Sequence, residues 1–349
     1  MEPDAITEKT YRTYPKMKLS KPRLAVTMGD PAGVGPELCL AVATDTRATG
    51  AADLVFVGTE SIFQNAAKTL GRAFPDPMHI CSVAEPEAPV SPGVVSAEAG
   101  RLSALYLDRA IDLAQKREVD GIVTAPISKE AWHLAGVPFP GHTEFLAAKT
   151  GTKEYGMMLV HGNWRVLHVS AHCSLRDAIS RVTQERVLRM LLLFDGVLRD
   201  LGVRSPRIGV AGLNPHAGEA GLFGDEERQH ILPAILEARS RGIEALGPIP
   251  PDTVFARARS GEYDGVLAMY HDQGHIAVKT LAFEPSKDGG WASVHGVNVT
   301  VGLPIVRTSV DHGVAFDIAG KGVARTESML DAIQLAARMA LIRAGGSVR

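Results

Sequence analysis

Hydrophobic positions along this chain fall into two alternating rhythms. Short unbroken apolar runs, the length of a buried strand, alternate with stretches in which apolar residues return every three or four positions. The runs predict strands over 23–28, 53–58, 121–126, 155–160, 165–170, 207–212 and 263–269. Helical spacing predicts helices over 38–44, 61–70, 97–117, 184–201, 226–241 and 327–344, with Pro36 suited to a first turn. Residues 75–93 are rich in proline and glutamate and read as connecting structure. Apolar strands alternating with amphipathic helices predict an α/β fold of parallel sheets flanked by helices. No repeat or heptad interrupts the pattern.

Composition narrows the class. A net charge of −2 gives no electrostatic case for nucleic acid or an anionic membrane. Aromatic residues are sparse and not interleaved with basic ones, so a base-stacking platform is not expected. Three cysteines without paired spacing (Cys39, Cys81, Cys173) argue against disulfides or a cysteine zinc site and fit a reducing compartment. Residues 1–20 lack the apolar centre of a signal peptide and read as a mobile tail, and no apolar run approaches the roughly 20 residues a membrane span requires. The expectation is a soluble, cytoplasmic protein with no nucleic-acid or membrane partner.

Polar residues then concentrate at strand ends. Tyr270-His271-Asp272-Gln273-Gly274-His275-Ile276-Ala277-Val278-Lys279 follows the run 265–269 and places His271, Asp272 and Lys279 where open sheets usually bind ligands. His172 and His216 each follow another strand. One histidine at a strand end is more often structural; three at the ends of successive strands point to an open three-imidazole site for zinc or a harder divalent ion. Gly141-His142-Thr143-Glu144-Phe145 opens a helix, and Thr143 is either a plain cap or, with His142, part of an anion site. His133, His161 and His168 read as structural, His168 being buried in a strand. Asp252 is either a cap or a carboxylate that orients an imidazole. Arg307 lies in 297–317, too apolar for a surface loop, and suits bidentate recognition of phosphate or carboxylate. The turn Gly29…Gly33-Val34-Gly35 lacks the spacing of a dinucleotide fingerprint.

Over residues 24–343 the chain resembles the 4-hydroxythreonine-4-phosphate dehydrogenase (PdxA) family. The resemblance rests on Gly29-Asp30-Pro31-Ala32-Gly33-Val34-Gly35-Pro36-Glu37, Gly141-His142-Thr143-Glu144-Phe145, Asn214-Pro215-His216-Ala217-Gly218-Glu219, His271-Asp272-Gln273-Gly274 and Gly302-Leu303-Pro304-Ile305-Val306-Arg307-Thr308-Ser309-Val310-Asp311-His312-Gly313. It implies two α/β/α domains around a cleft, as in isocitrate and isopropylmalate dehydrogenases. Residues 21–126 with 280–349 would form the first. Residues 127–279 would form the second, carrying the metal site and dimer interface.

The implied reaction is oxidation of a secondary alcohol with NAD or NADP, then metal-assisted loss of CO₂. The resemblance makes His172, His216 and His271 the metal ligands, shared across a homodimer, for zinc first and magnesium, manganese or cobalt otherwise. Substrate contacts would be His142, Thr143, Lys279, Asn298 and Arg307, with Lys279, Asp252 and Asp272 as candidates for proton handling. His312-Gly313-Val314-Ala315-Phe316-Asp317 is similar to a His-Gly-x-Ala cofactor loop, implicating His312, Gly313, Ala315 and Asp317.

Two departures bear on substrate. His275-Ile276 stands where the main branch has Leu-Pro, as in branches acting on phosphorylated threonate or erythronate, or on aromatic cis-dihydrodiols such as that of terephthalate. The loop 284–296, with Trp291 and His295, is longer than usual and is placed to cover the substrate. Gly141-His142-Thr143-Glu144-Phe145 and Arg307 favour a phosphorylated substrate. A metal-dependent hydrolase and a non-catalytic metabolite-binding protein are the alternatives from other classes.

Overall fold

The computed structural model describes residues 21–285 and 291–345; the tail 1–20 lies outside them. In chain order the strands are β1 (Arg23–Thr27), β2 (Asp53–Gly58), β3 (Ile80–Ser82), β4 (Gly121–Thr124), β5 (Gly156–His161), β6 (Trp164–His168), β7 (Arg207–Ala211), β8 (Glu244–Ile249), β9 (Gly265–Ala268), β10 (Phe283–Pro285), β11 (Trp291–Val294), β12 (Val297–Val301) and β13 (Val306–Val310). Eleven of them form one sheet in the order β3-β2-β1-β4-β13-β12-β5-β6-β9-β7-β8, and β10 and β11 form an antiparallel hairpin.

The sheet has two parallel arms. Strands β3, β2, β1, β4 and β13 make one, and β6, β9, β7 and β8 make the other. Between them β12 pairs antiparallel with both β13 and β5, and β5 antiparallel with β6. The three reversals leave the arms running in opposite senses. The all-parallel expectation holds within each arm and fails at the centre, where the β5–β6 and β12–β13 connections are too short for a crossover. Only Gly162 and Asn163 separate β5 from β6, and a turn that short can only make a hairpin.

The mixed α/β fold itself follows from the apolar pattern. Strands β4, β9 and β13 are buried along their whole length, as expected of strands covered on both faces. Helix Ala97–Gln115 turns Leu102, Tyr106, Leu107 and Ile111 into a core that includes Val26, Ile122, Leu167, Leu191 and Ile333, so it spans both arms. Alternate residues of the second arm face the other way, and Val166, Val266, Val254 and Tyr263 form a smaller core there.

Some elements differ from expectation for local reasons. The 75–93 segment contributes the edge strand β3. Strand β8 escapes the pattern because Gly247 and Pro248 lie inside it, a tolerable place for proline only because β8 is an edge. The helix expected over 226–241 is divided into a wide turn, Glu227–Ile231, and an α-helix, Leu232–Ser240, with Pro233 in its first turn. Residues His271–Ala282 are a helix, so His271, His275 and Lys279 follow one another along one face. Among the described residues no helix is long and apolar enough to cross a membrane.

Candidate active site

A cleft of about 370 Å³ lies where the two arms meet. It gathers His142, Thr143, Asn298 and Arg307 from the expected substrate set, His172 from the metal set, and His312 and Gly313 from the cofactor set. Hollows of about 590 and 570 Å³ at the amino ends of β1–β2 and β4–β13 contain none of these residues.

Arg307 sits at the base of the cleft, 3% exposed. The sheet register sets it beside two hydroxyls: one Nη donates to Thr300 Oγ1 at 2.9 Å and the other to Thr124 Oγ1 at 2.8 Å. Its buried Nε has no partner. Burial pushes the guanidinium down to about 9, so it remains a cation at neutral pH, with the Glu144 carboxylate acting the other way. A buried cation with neutral partners and a spare donor is suited to an anion.

His142 begins the helix His142–Thr150, after Gly141, and no side chain caps that helix. Thr143 is therefore not the cap that the plain reading expected. The His142 ring packs at 6.0 Å on Trp132, which is fully buried and donates from Nε1 to Ser103 Oγ at 2.8 Å. Burial, and then the Arg307 cation, hold His142 well below the usual imidazole range, and its Nε2 is buried without a partner. Asn298 Oδ1 is another orphaned buried atom of the cleft. Unpaired buried polar atoms are costly, and several converging on one hollow indicate a polar ligand.

Strands β6, β9 and β7 are adjacent and parallel, so the chain ends bearing His172, His271 and His216 emerge side by side, as expected. Only two of the rings approach each other. His172 and His271 have centroids 5.7 Å apart, whereas His216 packs against Phe223 at 6.1 Å. Among the described residues no group of three or more His, Cys, Asp or Glu is set to hold a metal. A single chain thus brings together two of the three imidazoles; the donor chemistry suits a divalent ion, and the expectation of a set shared across a homodimer concerns two copies. His216 is displaced because His216 to Ala220 all take left-handed backbone angles, φ from 43° to 83°. That run costs energy at each non-glycine residue. It is held from behind by the buried Glu227 carboxylate, which accepts the backbone N–H groups of Leu213 and Asn214, both at 2.7 Å.

His271 Nδ1 lies 2.7 Å from Asp272 Oδ1, so Nδ1–H donates to the carboxylate and leaves Nε2 free as a ligand. His168 is buried as expected, with Nδ1–H donating to Met157 O at 2.9 Å, and burial pushes it down to about 4. Lys279 Nζ stands 3.5 Å from Asp311 Oδ2, next to His312. Asp252 falls in the first turn of helix Pro251–Arg259, exposed, with Pro250 in the capping position, so it is not the cap.

The loop after β13 brings His312 and Gly313 to the cleft. His312 Nε2 is buried without a partner, and burial lowers its basicity. Nothing lies within 4 Å of a side chain built at Gly313, so that position opens on free space. An orphaned donor or acceptor beside an open backbone fits a cofactor edge. Ala315 has φ of 47°, and Asp317 is exposed.

The model for the pyridoxal phosphate biosynthetic protein PdxA matches residues 39–336. This chain belongs to the PdxA family. It is 44% identical over 334 residues to the D-threonate 4-phosphate dehydrogenase of Salmonella typhimurium, covering 91% of this chain and 98% of that one. The crystal structure of 4-hydroxythreonine-4-phosphate dehydrogenase from Klebsiella pneumoniae superposes with a TM-score of 0.81 at 41% identity, covering 93% and 99% of the two chains. A terephthalate 1,2-cis-dihydrodiol dehydrogenase from Burkholderia xenovorans LB400 is more distant, at 29% identity and TM-score 0.65 over 91% and 98%. The named relatives are dehydrogenases, and the chain is an oxidoreductase acting on a CH–OH group.

The PdxA motifs do not include every residue that shapes the cleft. Lys129 and Met157 line it, and Thr124 and Thr300 hold Arg307. Lys129 had one local signal, in that it follows the β4 strand end closely. The two threonines had none, since only the pairing of β4, β13 and β12 brings them to Arg307.

Proposed function

We propose that the protein oxidises a CH–OH group of a small phosphorylated hydroxy acid with NAD or NADP, and that loss of CO₂ follows. D-threonate 4-phosphate is the substrate we favour, because the relative that bears that name matches along nearly its whole length and His275 departs from the main branch. The buried Arg307, cationic and with Nε free, carries the reading. Arg307, Lys129 and the amino end of helix His142–Thr150 would take the phosphate, and neutral His142 would hydrogen-bond it. Asn298 would orient a hydroxyl. Lys279, beside Asp311, is placed to hold or move a proton.

Oxidation at the carbon β to a carboxylate gives a β-keto acid, and loss of CO₂ leaves a phosphorylated ketone with one fewer carbon. A bound nicotinamide would accept the hydride, and a divalent ion at His172 and His271 would draw electrons from the ketone. We infer that His216 of a second copy completes that ion's ligands, in a homodimer. Support comes from Leu222, Phe223 and Ile276, which expose apolar surface beside His216 and His271, at 73%, 48% and 66%. We read the two arms of the sheet as the two domains and place the protein in the cytoplasm.

A second reading, oxidation of an aromatic cis-dihydrodiol, is supported by the more distant relative and by a carboxylate that Arg307 could also take. The two separate when each substrate is incubated with NAD⁺ and zinc, manganese or magnesium. Reduced nicotinamide should appear with D-threonate 4-phosphate and not with the dihydrodiol. The reverse pattern would establish the second reading, and conversion of substrate without any reduced nicotinamide would establish a hydrolase.

A further inference from the structure

No residue of the motif Gly29-Asp30-Pro31-Ala32-Gly33-Val34-Gly35-Pro36-Glu37 lines the cleft. Its start is tied to the segment after β4, where Asp30 N–H donates to Pro126 O at 2.8 Å, and its later residues meet the loop 312–322. Val34 N–H donates to Val314 O at 3.0 Å, and a methyl group at Gly33 would come within 2.9 Å of that same oxygen. Ala32 O accepts Gly93 N–H at 2.8 Å, and Gly93, with φ of 79°, is itself pressed so close to Phe316 O that a side chain would stand 2.9 Å from it. At the far end of the loop, Glu37 Oε2 accepts Gly322 N–H at 2.8 Å. Glu37 is 5% exposed, and its other carboxylate oxygen is buried without a partner. The loop is thus held at residues 314 and 322 by a turn more than two hundred positions earlier, and approached at 316 by Gly93, which that turn itself holds.

We propose that this turn is the positioning cradle of the dinucleotide loop, with Gly33 and Glu37 setting where His312 and Gly313 stand. The proposal rests on the reading of 312–317 as the cofactor loop. A glycine at 33 is required because the two backbones touch there; any side chain would push Val314 outward and move His312 with it. Glu37 fixes the loop's exit, and with both ends held, the positive-φ turn at Ala315 is kept in place. Affinity for a dinucleotide depends on such pre-ordering, because a loop that must be ordered on binding subtracts its entropy from the interaction. The glycine-rich motif serves the cofactor without touching it, which explains why it lacks the phosphate-binding spacing.

The test is equilibrium binding of NADH, followed by its fluorescence, on the full-length protein. D-threonate 4-phosphate binding and thermal melting are measured in parallel. Gly33→Ala and Glu37→Met should each weaken NADH binding roughly tenfold or more while leaving the phosphorylated acid's affinity unchanged. Glu37→Gln should restore NADH binding, because its amide oxygen still accepts from Gly322. Unchanged NADH affinity in both Gly33→Ala and Glu37→Met overturns the cradle, as does an equal loss of both ligands. If Gly33→Ala does not fold, the contrast between Glu37→Met and Glu37→Gln decides alone, and equal NADH binding by those two refutes the proposal. Gly313→Leu separates this from the underlying reading. It places bulk in free space at the cleft, so undiminished NADH binding there would show that the loop is not the cofactor site at all.

Discussion

The ring of His275 lies face to face on that of His271, with centroids 3.6 Å apart and planes 10° from parallel. Helix geometry makes this pair, four residues apart on one face, and His275 Nδ1–H donates to His271 O at 3.0 Å. Behind it, His168 stands at 4.8 Å and is tied to Met157. Burial, and then the facing His168, push His275 down to about 2, so His275 is neutral and presses no charge on His271. Replacing His275 by leucine should remove the flat support of His271 and weaken divalent-metal affinity by about tenfold, within the range for groups that orient a ligand. Competition with a chelator measures this; wild-type affinity in the variant would show that the stack is packing alone.

Arg307 depends on two hydroxyls that carry no charge. Thr124→Val removes one acceptor at nearly constant volume, and because Arg307 is buried the freed Nη finds no water. The Michaelis constant for a phosphorylated substrate should rise about tenfold, the effect of roughly 1.4 kcal/mol. Melting should shift little, since β4 keeps its packing. A large fall in melting with an unchanged Michaelis constant would mean that Thr124 serves the fold.

The left-handed run at His216 is maintained by Glu227. In Glu227→Ala the N–H groups of Leu213 and Asn214 lose their acceptor, and five residues with positive φ are released from a conformation costing about 1–3 kcal/mol at each strained position. Metal affinity should fall toward that of His216→Ala, with the rest of the fold intact by circular dichroism. Retained affinity would show that the run holds its shape without the carboxylate.

Stability should fall on acidification. His168 titrates near 4 in the folded protein and near its ordinary value of about 6.5 when unfolded. Between those values the unfolded chain binds the extra proton, so stability rises with pH across that window and is lost as pH falls through it. The contribution of His168 is on the order of 3 kcal/mol at the bottom of the window. Asp30, which burial pushes up to about 6, works in the opposite sense over most of that window, whereas burial also holds His142 and His275 low, which adds to the slope. A melting series from neutral pH to pH near 4 should show the slope, and His168→Asn should flatten it. Parallel curves for the two proteins would refute the assignment.

The elements that repeat a local pattern were legible in the sequence, and those fixed by distant partners were not. The buried strands β1, β4, β7 and β9 are continuous apolar runs, and helices 97–115 and 184–200 show their period plainly. The central reversal of the sheet was hidden because β12 and β13 fall within 297–317, a stretch whose apolar character is plain but which is not resolved into two strands joined by a short turn. Among site residues, Arg307 and His142 stood out by type and context, but Thr124 and Thr300 are ordinary strand residues until the register sets them beside Arg307. The stack at His271 was within reach of the sequence, since His275 lies one turn on. The separation of His216 from the other two imidazoles has no sequence signal, because neither alanine nor glutamate announces a left-handed backbone.

The central claim is that this cleft oxidises a phosphorylated hydroxy acid held by Arg307. Its most direct test is the ratio of kcat/KM for D-threonate 4-phosphate to that for D-threonate, read as reduced nicotinamide, in the wild type and in Arg307→Ala. The wild type should prefer the phosphorylated acid by about a hundredfold or more, as expected of a buried charge pair, and the preference should collapse in the variant. A wild-type enzyme equally fast on both acids, or a preference that survives loss of Arg307, would contradict the account.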